Sequence, residues 1–269
     1  MKAAPRPPDV LLVVPTLGQR VDYLRQALAS IIEQPGCEVD LVVVAPSGTP
    51  ADEIAWRAGA RVVPDPQRGL SGAINAGIAA ASPETEFFGW LGDDDLLRPG
   101  SLPSTIAALR ANPKGVMAYG WCDYVNGEGS TFFASRAGSW AARIIGWGPN
   151  LVPQPGSLMR LPAVQHVGGL DENLSFAMDL DLFLKLRRHG ELIPVGRTLA
   201  AFRWHDESLT VSQQQASLNE SDAVRRRQMS SLPSFTWPVW RWPVRWSLGV
   251  AKAMVKRRAS RSQGASVQR

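Results

Sequence analysis

Long hydrophobic runs are missing from this chain. No stretch reaches about 18 uninterrupted apolar residues, so no membrane-spanning helix is expected. The first nine residues carry charge and prolines but no apolar signal core, so the chain is expected to stay in the cytoplasm. Cysteine is scarce: Cys37 and Cys122 are the two, and they have no metal-type spacing. They are expected to be thiols in a reducing compartment, packed as small core or loop residues. No internal repeat is present. Acidic residues are absent from 223–269, which hold 11 of the 29 basic ones. The rest therefore carries 18 basic against 24 acidic residues, so the net charge of +5 belongs to the tail and not to the body. That weakens a general nucleic-acid reading and directs attention to an anionic partner of the tail.

What is present is a core. Hydrophobic residues make up 45% of 269, enough for one large α/β domain plus a tail, or two small domains. Residues 10–14 (VLLVV) read as a strand buried on both faces, as in a parallel sheet. A helix over 21–33 follows, with Leu24, Leu28, Ile31 and Ile32 at helical spacing. Strands at 39–44, 61–63 and 87–91 alternate with helices at 51–58 and 71–81. This alternation predicts a doubly wound α/β sheet, which binds ligands at the carboxyl ends of its strands. The second half is less regular. Helices are expected at 102–110, 179–188 and 213–229, and strands at 116–125, 131–133 and 199–204. Residues 230–234 read as a linker.

Five polar constellations fall near these strand ends. Trp90-Leu91-Gly92-Asp93-Asp94-Asp95 closes an apolar strand with adjacent carboxylates that repel one another. Hard oxygen ligands suit Mg²⁺ or Mn²⁺, and such an ion bridges to a diphosphate. A solvated acidic turn is the plain alternative. The run from Arg68 to Gly77 opens a helix with Gly69, Ser71 and Asn75, where backbone N–H groups could meet a phosphate. A loop with Ser71 as N-cap is the alternative. Pro15 and Thr16, with Gly18 and Arg20 behind them, end the first strand. Asp179 lies at a helix start, where it is either a cap or a general base, and Asp181 falls in the first turn as a structural residue. Arg203 and His205 follow a strand and together could meet a metal–diphosphate unit.

In this order and spacing, the five sets resemble the family-2 glycosyltransferases over roughly residues 10–210. The strongest pieces are the strand ending in Pro15-Thr16, the Arg-Gly-Leu-Ser…Asn-Ala-Gly loop, and the Asp cluster followed by Leu-Leu-x-Pro-Gly. The Gly-Gly-Leu-Asp-Glu…Met-Asp-Leu-Asp-Leu block and Arg-x-His complete them. The resemblance implies a GT-A type nucleotide-diphospho-sugar transferase fold: an α/β, mostly parallel sheet flanked by helices. It implies a nucleotide-diphosphate sugar donor, with UDP or dTDP expected, a Mn²⁺ or Mg²⁺ cofactor, and inversion at the anomeric carbon. Carried over, Asp179 is the base. Pro15, Thr16, Arg20, Arg68, Gly69, Ser71, Asn75 and Asp93 line the nucleotide-sugar. Asp94, Asp95 and His205 hold the metal, and Gln154, Asp181 and Arg203 lie toward the acceptor or diphosphate.

The chain departs from the family pattern at Ala45, where a base-contacting Asp is usual, and at Gly92, where the first Asp of the metal motif is usual. Met178 replaces a frequent acidic neighbour of the base. Two other readings remain: a non-catalytic membrane-associated binding or scaffold protein on a degenerate transferase fold, and a nucleotidyltransferase, for which Leu17-Gly18-Gln19-Arg20 is a poor loop.

The expected organisation is a catalytic body over 1–230, with a nucleotide half at 9–100 and an acceptor half at 101–212. A basic, Trp-rich helical tail over 231–269 follows it. The tail holds Trp237, Trp240, Trp242 and Trp246, followed by Lys252, Lys256, Arg257 and Arg258. Such a mix suits an anionic membrane surface first, packing on the body or on another copy second, and nucleic acid last. A glycan or lipid-linked acceptor at the inner face of the plasma membrane fits the first reading.

Overall fold

The computed structural model describes residues 8–204 and 214–228. His205 and the tail lie outside the described residues. Strand β1 (Val10–Pro15) pairs in parallel with β2 (Val39–Ala45) on one side and β4 (Phe87–Trp90) on the other. β3 (Arg61–Pro64) extends β2, again in parallel. This parallel half explains the continuous apolar runs, because both faces of β1 are covered. Leu11 and Val13 point to one face, where they meet Ile74 and Ile78 of helix α3 (Gly69–Ala79). Val10, Leu12 and Val14 point to the other, against Leu24, Leu28 and Ile31 of α1 (Val21–Ile32). Ile54 of α2 (Pro50–Arg57) and Leu102, Ile106 and Leu109 of α4 (Ser101–Ala111) complete that second layer.

Beyond β4 the sheet turns mixed. β8 (Leu158–Arg160) runs antiparallel to both β4 and β6 (Gly115–Val125). β9 (Glu191–Arg203) lies parallel to β6 and carries the two-residue edge strand β5 (Leu96–Leu97). The path is β3-β2-β1-β4-β8-β6-β9-β5, and β7 (Thr131–Ser135) pairs with β6 off this path. Helices α5 (Ser139–Ile144), α6 (Leu161–His166), α7 (Met178–Leu186) and α8 (Gln214–Gln228) belong to the second half. No helix among the described residues is long and apolar enough to cross a membrane. Cys37 and Cys122 are free thiols, as expected.

The expected elements of the first half are all present, within two residues at each end. β9 begins eight residues before the expected start at 199. Pro194 and Gly196 read as strand breakers, and its first half is largely exposed, so alternation is weak there. β5, β8, α5 and α6 are too short to show a period and were not expected.

Candidate active site

The ends of β1, β2 and β4 bring the first constellations together. Thr16, 7% exposed just past β1, donates from Oγ1 to Asp93 Oδ2 at 2.5 Å and accepts the Gly18 N–H. Arg20 Nη1 donates to Asp94 Oδ2 at 2.6 Å and lies 3.7 Å from Asp93 Oδ1. Thr16, Arg20, Asp93 and Asp94 therefore form one cluster, although 77 positions separate Thr16 from Asp93. Pro15 is the last residue of β1 and sets Thr16 just past the carboxyl end of that strand.

The acidic turn is built to face one point. Asp95 is buried, and its Oδ1 accepts the Arg203 backbone N–H at 3.0 Å. Burial, and then the Asp94 charge, push its carboxyl well above the usual range. A Cβ on Gly92 would stand 3.0 Å from Asp94 Oδ1 and 3.1 Å from Asp95 Oδ2. Those two oxygens thus converge on the space that a side chain at 92 would claim, which gives the departure from the family pattern a physical use. Two carboxyl oxygens on a shared gap are hard donors of the kind that would suit a divalent ion, whose other ligands would come from a diphosphate and water. Among the described residues no group of three or more His, Cys, Asp or Glu side chains is arranged to hold a metal ion by itself.

The second centre is Asp179, at the start of α7. Burial raises its carboxyl to about 6, against the lowering effects of the Leu180 N–H at 2.7 Å, Asn150 and Arg225. Asn150 Nδ2 donates to Asp179 Oδ2 at 3.1 Å, and four residues on Gln154 Nε2 donates to the Trp90 carbonyl at 2.8 Å. The stretch 150–154 therefore touches both the base candidate and the end of β4, from which the acidic turn departs. Gln154 thus meets the strand that leads into the acidic turn, four residues along the chain from the partner of Asp179.

Several expected ligand contacts turn out to hold the chain together. Arg203 is 2% exposed and donates to the Asp94 carbonyl, the Gly127 carbonyl and Gln26 Oε1, with its guanidinium 4.2 Å from the Tyr23 ring centroid. It locks the acidic turn from behind and does not face a diphosphate, because every side of it is spent on protein partners. Asp181 is fully buried and pairs with Lys185 at 2.8 Å and Arg227 at 2.7 Å, so it is structural and not at the acceptor side. Ser71, 1% exposed, turns its hydroxyl to Met178 Sδ and the Leu174 carbonyl. Asn75 donates to the Leu170 carbonyl and accepts the Leu170 N–H. Gly169 is needed beside it: φ is +68°, and a Cβ would stand 2.7 Å from Asn75 Oδ1. Ser71 and Asn75 thus dock the 168–178 loop on α3 and do not line a nucleotide. Arg68 caps the same seam, with Nη1 3.0 Å from Glu172, and remains 59% exposed beside Gly69.

Three residues escaped the sequence reading. Asn150 sits in an irregular Gly-Pro-Asn stretch with no periodic signal. Glu220 and Arg225 lie on α8, whose polar run reads as a solvated face. Arg225 is nevertheless 2% exposed, its charge disfavoured by burial and supported by Asp222 and Asp179.

Parallel strands whose carboxyl ends carry an acidic turn, followed by a mixed extension bearing a separate carboxylate, define a GT-A-like transferase sheet. Residues 11–160 match the family described as Glycosyl transferase family 2, and the chain belongs to that family; it is a glycosyltransferase. Solved structures agree on the fold. A mannosyltransferase from Pyrobaculum calidifontis, in complex with GDP-Man and Mn²⁺, is 15% identical with a TM-score of 0.64, over 99% of this chain and 83% of that one. S. aureus TarS 1-349, in complex with UDP-GlcNAc, is 17% identical with a TM-score of 0.63, over 85% and 69%. No curated protein matches the sequence.

Proposed function

We propose that this chain is an inverting transferase that moves a sugar from a nucleoside-diphosphate donor to a hydroxyl of a glycan or lipid-linked acceptor. The observation that carries the reading is the 150–154 stretch, which ties Asp179 and the acidic turn's strand into one site. Bound nucleotide-sugars in the structural neighbours support the donor class.

Asp179 accepts the acceptor's hydroxyl proton as that oxygen attacks the anomeric carbon. The bond to the diphosphate breaks on the opposite face, and the nucleoside diphosphate leaves with the electron pair. Asn150 orients the carboxylate, and its burial keeps it basic enough to work near neutral pH. Asp94 and Asp95 would hold Mn²⁺ or Mg²⁺, which supplies charge neutralisation to the leaving diphosphate. Asp93, oriented by Thr16, faces the ribose side, and Arg20 and Arg68 offer positive charge at the rim.

Calorimetric titration with UDP and dTDP, with and without Mn²⁺, tests the reading. Metal-dependent binding of one of them is the expected result, and it names the base that Ala45 leaves open. Failure of UDP, dTDP and then GDP to bind the folded protein would overturn the proposed donor. We place its work on the cytoplasmic face of a membrane, supported by the basic, Trp-rich residues 231–269. In flotation with anionic liposomes the full chain is expected to rise, and a chain ending near residue 231 to stay behind. Equal flotation of both ends that idea.

A further inference from the structure

Helix α7 has no side-chain cap at its N-cap position, Ala177, and the third helical position, where a capping box would place Glu or Gln, is Leu180. Yet this is the turn that presents Asp179. The missing acceptor comes from α8. Glu220 Oε1 accepts the Ser175 N–H at 2.9 Å, and its Oε2 accepts the N–H groups of Phe176 at 2.5 Å and Ala177 at 2.6 Å.

A second tie lies two residues beyond Asp179. Arg227 Nη2 donates to the buried Asp181 at 2.7 Å, and its Nη1 donates to Asp171 at 2.8 Å on the loop leading into α7. Gln228 adds a 3.0 Å contact to the same Asp181 oxygen. Asp179 is thus bracketed: Glu220 grips the backbone just before it and Arg227 grips the side chain two residues after it. A carboxylate holding three consecutive backbone N–H groups by charge-assisted bonds fixes the direction of the chain there. An error of about 1 Å in a general base costs on the order of a hundredfold in rate.

We infer that Glu220 and Arg227 are positioning residues for Asp179, so that α8 acts as a clamp setting the aim of the base. The inference rests on Asp179 being the base, and a mutant cycle separates the two ideas. In the full chain, Glu220→Ala is expected to lower kcat by 10- to 100-fold, while KM for the donor and nucleotide affinity stay within about threefold. Glu220→Gln keeps an acceptor oxygen and should recover part of the loss, leaving a drop of about three- to tenfold. In an Asp179→Asn background, Glu220→Ala should cost nothing more, because the group it aims is gone.

An equal loss in both backgrounds makes Glu220 merely structural and overturns the clamp. So does an unchanged kcat for Glu220→Ala when Asp179→Asn alone is inactive. Should Asp179→Asn itself turn over normally, the base reading falls first. If Glu220→Ala does not fold, Glu220→Gln runs the same cycle. A three- to tenfold drop confined to the Asp179 background is then expected, and a drop of equal size in both backgrounds, or none in either, overturns the clamp.

Discussion

Asp179→Asn should lower kcat by about 10² to 10⁴ while leaving nucleotide binding intact, the range for loss of a positioned general base. It should also make the protein more stable. The carboxyl sits near 6 in the fold, raised by burial, against about 3.9 in an unfolded chain. A raised carboxyl contributes stability that is full below the unfolded value and is lost as pH rises through the folded one. Above pH 6 the native state therefore carries an ionised, desolvated group. Two units correspond to roughly 3 kcal/mol, reduced to about 1–3 because the side chain is not wholly shut from water. Urea unfolding at pH 8 should show that gain for the Asn variant, and the gain should vanish below about pH 4. In the wild type, kcat should fall tenfold per unit below about pH 6. An acid limb near pH 4, or an Asn variant no more stable than the wild type, would remove the desolvated-base account.

Asp94→Ala is expected to have the next largest effect. A fall of at least about a hundredfold in kcat/KM corresponds to the several kcal/mol that a diphosphate-bound cation supplies. Mn²⁺ should no longer tighten UDP or dTDP binding in this variant. Loss of Asp94 also removes the 2.6 Å acceptor of Arg20, leaving it the longer 3.7 Å contact with Asp93. Metal-free nucleotide binding should therefore be retained or slightly improved as that guanidinium becomes available to phosphate. A variant that kept the full Mn²⁺ effect would move the metal away from the Gly92 gap.

The sequence carries the first half of the site openly. Val10 to Pro15 and Phe87 to Trp90 are apolar because both faces are buried, so their polar successors stand out at the strand ends. Thr16, Arg20, Asp93 and Asp94 were legible for that reason. The roles of Ser71, Asn75, Asp181 and Arg203 were not, because spacing shows that a polar residue sits beside a site but not which way it turns. Ser71 and Asn75 face the 168–178 loop, and Arg203 faces inward from the end of β9. Glu220 was illegible for the opposite reason. It lies on a polar helix and gains its meaning only from three backbone N–H groups more than 40 residues away.

The placement of Arg203 bears on the order in which the enzyme assembles. The family match ends at residue 160, yet the acidic turn inside it is locked by a residue on β9, 108 positions after Asp95. A ribosome that has released only the matched portion has made the acidic turn without its lock. The Asp93–Asp95 carboxylates then have neither the Arg203 guanidinium nor its backbone N–H, and closure waits on the long-range pairing of β9 with β6 and β5, a slow class of folding event. Nucleotide competence should therefore appear late and all at once during synthesis, as a property of the finished sheet and not of its first half.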